Sequence, residues 1–120
     1  MLTFEASQEA LDEIAQDLPQ EIFKGLNGGY ALTEETVFDE NGLIILGQYH
    51  YQPRGLGRYV VVHYGSMTQA YGRLCPEKFR EKLKDVFYHE LVHHLEGLAG
   101  DRSLEIQDKI DKAKMLRHLF

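Results

Sequence analysis

The chain has 120 residues, 43% of them hydrophobic, with a formal net charge of -6. That suits a single folded domain over 1–120 with a real hydrophobic core, and the composition is globular rather than disordered. The acidic balance lacks the electrostatic footprint of a phosphate-backbone binder, so no nucleic-acid partner is expected. There is no apolar run of about 18 residues, so no membrane span is expected either. Met1 to Ala6 lacks the basic and apolar regions of a signal peptide. Cys75 is the one cysteine, which excludes an internal disulfide. Together these features lead to the expectation of a reduced, cytoplasmic location, with Cys75 as a small packing residue.

In chain order, Ser7 is positioned to cap a first helix that runs to about Leu18 and carries an apolar face of Ala10, Leu11, Ile14 and Leu18. Pro19 opens a short helical turn over Gln20 to Lys24, and Gly25 with the pair Gly28-Gly29 breaks it. Tyr30 to Phe38 reads as a first strand, weakened by Glu34 and Glu35, and Asp39-Glu40-Asn41-Gly42 is a strong turn signal. Leu43 to Tyr51 reads as a second strand. Pro53, Gly55 and Gly57 make Gln52 to Gly57 a loop, and Arg58 to Tyr64 is the clearest strand. Those last two strands predict an antiparallel hairpin. Ser66 to Tyr71 is read as a short helix or irregular chain. A long helix follows from Pro76, a good first helical residue, to about Ala99, with Gly100 as its stop. A final helix fits Ser103 to His118. The expected fold is α+β: a small, mostly antiparallel three-stranded sheet packed on helices.

The chemistry lies in the long helix, at His89-Glu90-Leu91-Val92-His93. Residues four apart on an α-helix differ by about 40° around the axis, so His89 and His93 face the same way and two imidazoles can grip one metal ion. Glu90 projects beside that position, where its carboxylate can accept a proton from an activated water. This is the H-E-x-x-H pattern of zinc hydrolases. The plainer reading is a surface helix whose His and Glu side chains are solvated. Phe87, Leu91, Leu95 and Leu98 form the opposite, apolar stripe. Val86 and Phe79 flank the histidines, so that side is expected to be covered.

The run His89 to Gly100, with Gly25 to Gly29 and Tyr59 to Ser66, resembles the minimal zincin, or metallopeptidase-like, family of small bacterial proteins. The resemblance implies a zincin-like fold with the metal site on the long helix and a reduced version of a zinc metalloprotease core. In the commonest extended pattern of such enzymes a glycine and then the third ligand follow the second histidine at fixed intervals. Glu96 and Ala99 occupy those places here, so the third ligand comes from elsewhere. Asp101, after Gly100 where the chain can turn back, is favoured; Glu105 is the alternative and Asp108 stands third. Each is equally explained as a charge facing a helix N-terminus.

His94 lies about 100° from His93 and is read as a packing or supporting hydrogen-bonding residue rather than a ligand. Glu96 is read as a solvated or supporting carboxylate. His50, His63 and His118 have no partner at ligand spacing. Tyr64 and Tyr71 are candidates for steadying an oxyanion, with core packing the favoured role. The expectation is a zinc-dependent metallopeptidase with one Zn2+ per chain, held by His89, His93 and a third ligand. Glu90 acts as general base, and a peptide or protein is the substrate. The alternative is a non-catalytic metal- or peptide-binding module of the same fold.

Overall fold

A computed structural model describes residues 1–99; Gly100 and the final helix expected over Ser103 to His118 lie outside them. The elements are α1 (Phe4–Gln16), a 3-10 turn (Gln20–Phe23), β1 (Gly29–Thr33), β2 (Val37–Phe38), β3 (Ile44–Ile45), β4 (Gly47–Gln52), β5 (Gly57–His63), α2 (Tyr64–Tyr71) and α3 (Pro76–Leu98). α3 starts at the expected proline and carries the whole histidine motif. Cys75 occupies its N-cap and is exposed, not packed.

α1 begins earlier than expected. Thr3, not Ser7, is the cap: its hydroxyl accepts from the Ala6 N–H at 3.1 Å. Ser7 falls inside the helix and is fully buried. The first expected strand divides into β1 and β2 around Glu34-Glu35-Thr36. That segment bends over the start of α2, where the Glu35 carbonyl accepts from the Ser66 N–H and the Ser66 hydroxyl accepts from the Val37 N–H. The second expected strand divides at Leu46. Before it, β3 pairs antiparallel with β2; after it, β4 pairs antiparallel with β5.

The α+β class and the β4–β5 hairpin are as expected, but the main sheet is mixed rather than mostly antiparallel. Its order is β1-β5-β4, and β1 runs parallel to β5. The chain leaves β1, makes the separate β2–β3 pair and returns through β4, so β5 ends in the centre between β1 and β4. Val60 and Val62 of β5 are accordingly fully buried. α3 packs on β4 and β5 and also against α1. Phe79, Leu83, Phe87, Leu91 and Leu95 of α3 meet Leu11 and Ile14 of α1 in one core. Complete burial of side chains this size is worth roughly 1.5–3 kcal/mol each, so the orientation of α3 is set by its apolar stripe and not by its polar face. Among the described residues no helix is long and apolar enough to cross a membrane.

Candidate functional site

The core stripe of α3 decides where its polar residues go. Val86, Glu90, His94 and Gly97 turn toward β4 and its neighbour β5; His89 and His93 lie further round, at the rim. Both histidines are exposed, contrary to the expectation that this side would be covered. Val86 packs against Gly47 of β4 and Phe79 against Tyr64 of α2, which leaves the histidine rim open. Glu90 is different: it is 7% exposed, so the plainer reading of solvated His and Glu fails for the carboxylate.

Gly47 makes this closeness possible. A β-carbon there would lie 2.8 Å from Val86 Cγ1, 3.2 Å from the Val61 carbonyl oxygen and 3.3 Å from Glu90 Cγ. A glycine within the expected Leu43 to Tyr51 strand is the sequence signal of such an approach. Gly47→Ala is expected to cost about 1–3 kcal/mol by overpacking, and Gly47→Ala/Val86→Ala to regain part of it. Denaturant unfolding of the three proteins measures this, and a neutral single variant contradicts the contact.

The His89 and His93 Nε2 atoms are 3.0 Å apart. Two nitrogens bound to one tetrahedral zinc at usual bond lengths sit about 3.3 Å apart, so a shift of a few tenths of an ångström brings both rings onto one ion. One ligand atom from each of His89, Glu90 and His93 lies within 4.8 Å of the others. The donor set and spacing fit zinc. Burial raises the Glu90 pKa above the usual carboxylate value, and the neighbouring His93 charge opposes that shift. Such a carboxyl is better matched to taking and returning a proton near neutral pH. Asp101, Glu105 and Asp108, the third-ligand candidates, lie outside the described residues.

Behind the rim, His94 is fully buried and serves structure. Its Nε2 is 2.9 Å from the Lys24 carbonyl, which can only accept, so Nε2 donates. Burial, aided by the Arg58 charge, lowers the His94 pKa despite the Lys24 contact, which favours the neutral ring. Nδ1 then accepts from the Tyr49 hydroxyl at 3.1 Å, and the Tyr49 oxygen accepts from Arg58 at 2.8 Å. This chain of bonds ties α3 to β4, β5 and the turn before Gly25. Tyr49, Arg58 and Gly47 were not singled out from the sequence; only Gly47 carries a recognisable signal.

The remaining candidates sit elsewhere. Tyr64 packs edge-on against Phe4 and Phe79 and donates to the Leu2 carbonyl. Tyr71 lies under the Lys82 ammonium. His50 stacks on Tyr59, and Glu96 is exposed. His63 is 4% exposed, between the Thr33 hydroxyl and the Gln48 side-chain oxygen at 2.9 Å each. Its burial lowers its pKa from 6.5, against the pull of Glu35. The unfolded chain therefore takes up this proton at higher pH than the folded one. The contribution is intact above pH 6.5 and is lost as pH falls below it and on through the folded value. The unfolding midpoint is expected to drop more steeply with acidification over that window in wild type than in His63→Gln. Parallel pH profiles contradict it.

A groove of about 390 Å³ opens beside the motif, lined by Ile44, Ile45, Leu46, Gly47, Asp85, Val86, His89 and Glu90. β4 forms the edge of the main sheet above it. The His63 N–H donates to the Leu46 carbonyl, which makes Leu46–His63 a hydrogen-bonded pair. By alternation along an antiparallel ladder, the backbone groups of Gly47, Tyr49 and Tyr51 point outward from the sheet. Among the described residues no strand pairs with them.

No protein-family model matches this chain, and neither does any curated protein. A solved structure described as a conserved hypothetical protein from Thermo thermophilus is similar, with a TM-score of 0.69 and 28% identity over 82% of this chain and 99% of that one. The fold is thus shared with a second natural protein, whose description states no activity.

Proposed function

We propose that this chain is a zincin-type zinc-dependent metallopeptidase. The observation that carries the reading is the meeting of two imidazole nitrogens 3.0 Å apart with a buried carboxylate on one helix, at the mouth of a groove under a sheet edge. His89 and His93 would hold the metal, with Asp101 as third ligand or Glu105 in its stead. Zinc bound there supplies Lewis-acid activation of water and of a substrate carbonyl near neutral pH. Glu90 takes the proton from the attacking water and delivers it to the leaving amine. An extended peptide adds to β4 through the outward backbone groups of Gly47, Tyr49 and Tyr51, which sets its scissile bond over Glu90. The His94–Tyr49–Arg58 bonds hold helix and strand in register while this happens.

The test is a mass-spectrometric digest of a broad peptide library by zinc-loaded, chelated and reloaded protein. Cleavage that disappears on chelation and returns with zinc is the expected result. No cleavage, with zinc content confirmed, overturns the peptidase reading in favour of the non-catalytic binding module of the same fold.

A further inference from the structure

Asp85 is the charged residue of the described groove lining that the peptidase reading leaves without a task. It sits one helical turn before His89, about 6 Å along the axis, and is half-buried in the groove wall. The rest of that end of the groove is apolar: Ile44, Ile45, Leu46 and Val86. No ion pair with a described residue involves Asp85. The neighbouring Lys84 lies over the Tyr88 ring, 5.8 Å from its centroid, and its charge acts on Asp85 from beyond ion-pair distance. Among the described residues the groove therefore runs from Glu90 along an aliphatic wall to the Asp85 carboxylate.

An all-apolar side chain laid there would cover the Asp85 carboxylate and strip its water without replacing it, which is costly. A lysine or arginine side chain meets both demands. Its methylene stem covers the apolar wall and its charged head reaches the carboxylate. The separation of Asp85 from His89 matches the reach of such a stem from a residue beside the scissile bond. The protein's net charge of -6 adds a general attraction for cationic peptides.

We propose that this groove takes the lysine or arginine side chain of a peptide next to the bond at Glu90, and that Asp85 selects it. The proposal rests on the peptide-binding reading of the same site. The test is therefore a binding measurement, made with turnover suppressed. The protein is zinc-loaded Glu90→Gln, which also leaves Asp85 as the only carboxylate lining the groove among the described residues. The probes are fluorescein-labelled alanine hexapeptides with one central lysine, norleucine or glutamate, compared by fluorescence anisotropy at physiological salt. The lysine peptide is expected to bind roughly tenfold more tightly than the norleucine peptide. Adding Asp85→Asn should make the two equal, and adding Asp85→Lys should favour the glutamate peptide. A lysine preference that survives Asp85→Asn, or binding with no lysine preference at all, overturns the groove assignment and leaves the peptide reading standing. No binding of any peptide, with zinc confirmed, overturns both.

Discussion

Glu90→Gln is expected to keep its fold and its zinc while lowering peptide hydrolysis by roughly 10²–10⁴, the usual share of general acid–base catalysis. Glutamine has the same shape, so the packing around Gly47 and Val86 survives. The amide removes a carboxyl that burial holds above its usual pKa, so stability does not suffer from losing an unfavourable buried charge. What it cannot do is accept a proton. The assay compares wild type and Glu90→Gln, both zinc-loaded, on the same peptides. Equal cleavage by the two shows that Glu90 is not the base and that any activity is a contaminant or uses another group.

His89→Ala and His93→Ala are each expected to abolish stoichiometric zinc binding. Loss of a supporting residue around a metal typically costs about 10–100-fold in affinity, and loss of one of two imidazoles costs more. Both side chains are exposed, so the domain should stay folded. Elemental analysis of the purified variants reads the result, and unchanged zinc in His89→Ala refutes the assignment. The same titration ranks the third ligand. Asp101→Ala should weaken zinc against a competing chelator more than Glu105→Ala does, and the reverse order moves the ligand to Glu105.

Local signals carried the parts of the fold that are local in sequence. Pro76 and the four-residue apolar repeat fix α3 because a helix is made of near neighbours. The Pro53–Gly57 loop forces β4 back beside β5. The parallel pairing of Gly29–Thr33 with Tyr59–His63 joins segments far apart in the chain, and no periodicity in either strand announces it. Ser7 is read from the sequence as the cap, but α1 begins at Phe4, which packs against the core, a tertiary contact that no local pattern announces. The histidine motif was legible because a helix alone brings His89, Glu90 and His93 together. The Tyr49–His94 bond, the approach of Gly47 to Glu90 and the position of Asp85 depend on how β4 crosses α3. That crossing is set by the core and leaves little trace in any one stretch of residues.

In the proposed site His89 and His93 hold one zinc ion beside Glu90. Anomalous X-ray scattering at the zinc edge, on crystals of the full chain grown without chelator, tests it most directly. One peak per chain is expected, within bonding distance of both Nε2 atoms and of a carboxylate from Asp101. A zinc peak at another place in the chain, or none in protein supplied with zinc throughout, contradicts it.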